Sequence, residues 1–154
     1  MTAEQIKETL YNVAGEVLEK LAFIFSFPEE EREPMDYSDA VIARVSFTGP
    51  FKGTLTMAVS AEVIPEIAGN MLGLEDNFDS TKEQQGDALK ELINVICGNL
   101  LPVIAGKQTV FNVEAPGIIA ADEITVSGNA PGPPSVAKLD MDDGQCDLML
   151  YIEN

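Results

Sequence analysis

Ile6, Leu10, Val13, Val17, Leu21 and Ile24 recur at three- and four-residue spacing, the mark of one buried helix face, and Thr2-Ala-Glu-Gln5 ahead of them has the form of a capping box. Residues 3–25 are therefore predicted as an amphipathic helix, broken at Phe27-Pro28. After an acidic stretch over 28–39 with two prolines, the period changes to two. Val41, Ala43, Val45 and Phe47 alternate with polar neighbours, as do Phe51, Leu55, Met57 and Val59 beyond Gly49-Pro50, which predicts a β-hairpin. Ser60 can cap a short helix through about Leu72, and Ser80-Thr-Lys-Glu83 reads as a second capping box opening a longer helix toward Gly106. A strand is expected over Phe111–Ile119 and a Pro/Gly-rich loop over Ser127–Ser135. A last hairpin, 135–141 with 145–152, turns at Asp143-Gly144. The order implies an α+β fold in which long helices pack on one face of a largely antiparallel β-sheet.

The second long helix carries the chemistry. At about 100° per residue, Leu89, Leu92, Ile93, Ile96, Leu100, Val103 and Ile104 share one broad face. Asp87, Glu91, Asn94 and Gly98 stand one above another on the other face, within roughly 60° of arc. Side chains 91 and 94 can then touch one external object together, and Gly98 leaves room beside Asn94. Pro102 removes one helical hydrogen bond and crowds the carbonyl of residue 98, so a kink or helix end is expected near 98–102. The solvated side of any surface helix shows a similar pattern, and spacing alone assigns no function.

Composition narrows the choice. With 45% hydrophobic and 23% charged residues, the 154-residue chain suits one domain over 1–154. A net charge of -17, from 26 acidic against 9 unclustered basic residues, argues against nucleic acid as a partner. The first residues lack a basic stretch followed by an apolar one, and Leu21–Phe25 is too short to span a bilayer, so no membrane association and a cytoplasmic setting are expected. There is no histidine, which removes Ser-His-Asp and Cys-His catalysis. Cys97 and Cys146 make neither a disulfide framework nor a metal-ligand set. No phosphate-binding glycine motif or nucleophile elbow is present. Any chemistry must rest on carboxylates, amides and hydroxyls. Asp140, Asp142, Asp143 and Gly144 do not follow a calcium-loop order and are expected as turn residues. Glu29-Glu-Glu-Arg-Glu33 is expected as a solvated loop.

Asp87-x3-Glu91-x2-Asn94 with a distant Pro116 resembles the signature of the CheC/CheX/FliY chemotaxis phosphatases: Asp or Ser, then Glu, then Asn, then proline. The gap of twenty-one residues before Pro116 is one shorter than that signature. The first helix holds Asn12-x3-Glu16-x2-Glu19, the same spacing with glutamate in place of the key asparagine. That points to the CheX branch, and to one functional site per chain.

The resemblance implies a CheX-like fold and hydrolysis of the aspartyl phosphate of a CheY-like response regulator. Asn94 would position the attacking water, since its amide both accepts and donates. A carboxylate is a weak general base near neutrality, so Glu91 is expected to dock the regulator by pairing with a lysine. Asp87, Gly98 and Pro116 would line the partner-binding surface. No cofactor of its own is implied, Mg²⁺ being expected in the partner, and a homodimer is. The alternative is a non-catalytic module that docks a regulator or adaptor.

Overall fold

A computed structural model describes residues 2–75, 80–124 and 134–153. The first helix, α1 (Ala3–Ala22), opens on the predicted box: the Gln5 amide donates to Thr2 Oγ1 at 3.2 Å and the Thr2 amide to Gln5 Oε1 at 2.9 Å. It stops three residues before the predicted end of 25, because Phe23 takes a left-handed conformation (φ 55°). The chain then forms a short strand, β1 (Ser26–Pro28), that its sequence does not announce.

The first hairpin, β2 (Ala40–Thr48) and β3 (Lys52–Ser60), leads into α2 (Ile64–Leu72) and then α3 (Lys82–Ala105). Thr81 and Gln84, one residue beyond the predicted pair, make the reciprocal cap of α3. The helix does not end at 98–102. Pro102 lies in its last turn, where the lost N–H deprives only the Gly98 carbonyl of its donor, and the chain leaves at Gly106 (φ 98°).

The predicted strand 111–119 is two pieces, β4 (Asn112–Val113) and β5 (Gly117–Ile119), both paired with β2. Val113 opposes Phe47 and Gly117 opposes Arg44, so Glu114, Ala115 and Pro116 face only Val45 and Ser46. That extra residue is a β-bulge, and it falls where Pro116 can give no ladder hydrogen bond. Of the predicted 127–135 loop, residues 127–133 lie outside the described residues; β6 (Ser135–Met141) and β7 (Gly144–Glu153) follow as the second hairpin. Its turn residues are Asp142 and Asp143. Gly144 lacks the positive φ that the Asp-Gly pair suggested. Crowding selects it instead, since a Cβ there would stand 2.5 Å from Ser60 Oγ and 2.9 Å from Val63 Cβ.

The antiparallel sheet runs β1-β6-β7-β3-β2-β4, with β5 also on β2. Exchanging β1 with β4–β5, β2 with β6 and β3 with β7 leaves this order unchanged, and the same exchange relates α1 to α3. The C-terminal strands are interior: β1 covers β6, and β3 covers β7. The free edges belong to β1 and β4–β5, and Pro28 and Pro116 blunt them.

All three α-helices pack on one face. Leu10, Leu18, Leu89, Leu92, Ile93, Ile96 and Leu100 meet Val45, Phe47, Leu55, Met57, Leu139, Leu148 and Leu150 in one buried cluster. Among the described residues α3 is the one helix long and apolar enough to cross a bilayer, yet the core takes its apolar side. The opposite face is partly covered by the turns Tyr37–Asp39 and Ala121–Ile124 over Ile42, Ala58 and Met149. There the expected solvated loop 29–33 holds for its four glutamates, which are exposed, and is corrected at Arg32 alone. Arg32 is buried, bonded to Asp140 at 2.9 Å and more closely to buried Asp147, whose other oxygen accepts from Tyr37 Oη at 2.8 Å. Asp140 is accordingly a strand residue and not part of the turn.

Candidate functional site

Two facts of local sequence aim the outer side of α3. A reciprocal cap fixes where the helix starts, and Leu89, Leu92, Ile93, Ile96 and Leu100, buried at helical spacing, fix which way it is rotated, although Val103, expected on the same face, is exposed. Asp87, Glu91, Asn94 and Gly98 are therefore all exposed, while Ala88, Leu89, Leu92, Ile93, Ile96 and Cys97 between them are buried.

Partners separate the polar residues of this helix. Asn99 also faces out, but its Nδ2 donates to the Val95 carbonyl at 2.8 Å and is spent on the helix itself. Asn94 and Glu91 have no hydrogen-bond or ion-pair partner among the described residues. Asp87 does: its Oδ1 lies 3.6 Å from Lys90 Nζ, an ion pair not anticipated from the sequence although Lys90 stands three residues on. A Cβ on Gly98 would meet nothing within 4 Å, so the glycine keeps an open surface and is not demanded by close packing.

Pro116 stands apart from this stripe. It is half-buried at the bulge before β5, and β5 lies under the first turns of α3, with Ile118 Cγ1 3.6 Å from where a Gly86 Cβ would be. The proline is thus tied to the helix through the residue next to Asp87. A groove of about 280 Å³ lined by Val13, Glu16, Lys20, Val95, Asn99 and Val103 separates α1 from α3 beside the stripe.

Other groups offer less. Burial pushes the Cys97 thiol up to about 11 and Cys146 to about 12, so neither is a thiolate near neutrality. Glu66 on α2 is raised above the ordinary carboxyl value, first by burial and then by its contact with Asp143. Among the described residues no three His, Cys, Asp or Glu side chains converge as metal ligands. What α3 presents is an acceptor-donor amide and a carboxylate, held on a rigid element and left free for an external group.

The family model described as chemotaxis phosphatase CheX matches residues 41–138. No curated protein sequence matches the chain. Among solved structures, a chemotaxis protein CheX from Desulfovibrio desulfuricans is similar with a TM-score of 0.75 at 18% identity, over 97% of this chain and 99% of that one. CheX from Vibrio vulnificus gives 0.76 at 17% identity over 99% of each chain. A CheX-CheY-BeF3-Mg complex from Borrelia burgdorferi gives 0.72 at 22% identity, over 96% of this chain and 97% of that one. At these identities the structural likeness is one of fold.

Proposed function

Because the chain belongs to the CheX family of chemotaxis phosphatases, we propose that it hydrolyses the aspartyl phosphate of a CheY-like response regulator, with Asn94 positioning the attacking water and Glu91 docking the regulator. The observation that carries this reading is the exposed, unpartnered pair Glu91 and Asn94, one helical turn apart on α3. Phosphoryl transfer asks little covalent chemistry of the protein and much positioning.

In the proposed reaction a water oxygen forms the new bond to phosphorus while the phosphorus–oxygen bond to the regulator's aspartate breaks. The aspartate leaves as a carboxylate and the water proton departs with inorganic phosphate. The Asn94 carbonyl can accept from that water while its NH₂ faces a phosphoryl oxygen. Glu91 is left to pair with a cation on the regulator, a charge-assisted contact that fixes the amide above the phosphorus. The Mg²⁺ belongs to the regulator, and this chain supplies no cofactor. Asp87, Gly98 and Pro116 border the docking surface. A structural neighbour crystallised with CheY, BeF3 and Mg supports this choice of partner.

The same reading places one CheX-like domain over 1–154 in the cytoplasm, as a homodimer. The test is phosphate release from an excess of phosphorylated CheY. Wild type should turn over many regulators per chain, and Asn94→Ala should not. Stoichiometric binding without turnover would reduce the chain to a docking module.

A further inference from the structure

The phosphatase reading leaves an electrostatic problem. The chain carries a net charge of -17, and the group it must approach is an anionic phosphoryl. On α3 the charged side chains are Lys82, Glu83, Asp87, Lys90 and Glu91, so within two turns before Asn94 the helix offers two carboxylates and a single cation. Lys90 lies one turn before Asn94, offset from it by about 40° around the axis. Its ammonium is held 3.6 Å from Asp87, with the lysine side chain 39% exposed and the aspartate 66%. An exposed pair of this kind adds little to stability, which makes it cheap to open. A charge-assisted hydrogen bond to a phosphoryl oxygen is stronger.

Resting on the phosphatase reading, we propose that Lys90 is a further working residue of this site. Its ammonium is parked on Asp87 in the free protein and transfers to a phosphoryl oxygen of the docked regulator. Asp87 is the positioning residue: it keeps the Lys90 ammonium in the line of the stripe, about two turns before Asn94, from where the side chain swings forward when the regulator docks. The first letter of the Asp87-x3-Glu91-x2-Asn94 string thereby gains a physical role, because it orients the α3 cation nearest to Asn94. No bond to phosphorus is made by Lys90; it neutralises charge while water attacks and the carboxylate leaves.

The experiment uses the host's own CheY phosphorylated with acetyl phosphate, and measures phosphate release by the full-length protein across ionic strengths. Lys90→Gln should lower kcat/KM about tenfold at low salt, and the deficit should shrink to about threefold or less in 0.5 M salt as screening weakens the contact. Lys90→Arg should stay within about twofold of wild type, because the charge and donors survive. Asp87→Asn should cost about threefold alone and nothing further in the Lys90→Gln background, the non-additivity expected of one functional pair. Lys90 is only half-buried and outside the core, so circular dichroism should report an unchanged fold in each variant. A Lys90→Gln rate within twofold of wild type at low salt, with Asn94→Ala inactive, would overturn the role of Lys90 and leave the phosphatase reading standing. A salt-independent loss shared by Lys90→Arg would overturn it as well. Full activity in Asn94→Ala would instead sink the phosphatase reading.

Discussion

The two long helices invite comparison because they are built alike. Each opens on a threonine–glutamine cap, each packs its apolar side into the same core, and each shows an acidic string of the same spacing outward. They differ in what their outward groups already hold. On α1, Glu16 is bonded to Lys20 at 2.6 Å, which pulls its carboxyl below the ordinary range, and the place of the amide is taken by Glu19. On α3, the only pairing on the stripe among the described residues is Asp87 with Lys90, and Glu91 and Asn94 are left open. Periodicity therefore builds a polar face, while missing internal partners and one amide make it a candidate site.

The comparison breaks first at Asn94. Replacing it with alanine should cost about 10²-fold in stimulated dephosphorylation, equivalent to about 2.7 kcal/mol of barrier, with unchanged circular dichroism. If phosphate release is undiminished, α3 is no more special than α1. Glu91→Ala should weaken binding of a stably phosphorylated regulator mimic about tenfold, the loss of one charge-assisted contact, which isothermal calorimetry would register. Glu16→Ala on α1 should leave the same isotherm unaltered.

A third group of carboxylates sharpens the contrast. Glu66 beside Asp143 also has no cation paired with it among the described residues, but the amide one turn on, Asn70, is already spent on the Ala22 carbonyl at 2.7 Å. Its raised folded-state value means that its protonated form suits the fold. The associated stability is full below the ordinary carboxyl value and is lost as pH climbs through the raised one. Glu66→Gln should therefore raise Tm slightly near neutrality, and the advantage should vanish in acid. Thermal melts at several pH values would check this, and phosphatase activity should not change. Smallest of all, Glu19→Asn on α1 should alter total activity by less than about twofold, because Glu16 stays tied to Lys20. A clear second activity there would mean that the amide alone decides.

Elements with a long, clean period were legible in the sequence. Both long helices and both hairpins show it, and so does the outward rotation of Asp87, Glu91, Asn94 and Gly98. What escaped were features whose cause lies far along the chain. β1 is three residues long and exists because β6, more than a hundred positions later, has an edge to offer. The bulge at Pro116 depends on register against β2. Arg32, set among glutamates, is buried only because Asp140 and Asp147 come to meet it. Lys90 could have been found, since an i,i+3 pairing with Asp87 is a local signal.

β7 is the last strand in chain order, yet it is flanked by β6 on one side and β3 on the other. While β7 is still inside the ribosome, β3 has a row of unpaired backbone N–H and C=O groups with nothing beside it, and the two halves of the fold have no seam to join along. The core can therefore close only once residues 144–153 have emerged, and nascent chains halted before residue 144 should be clients of chaperones or proteases.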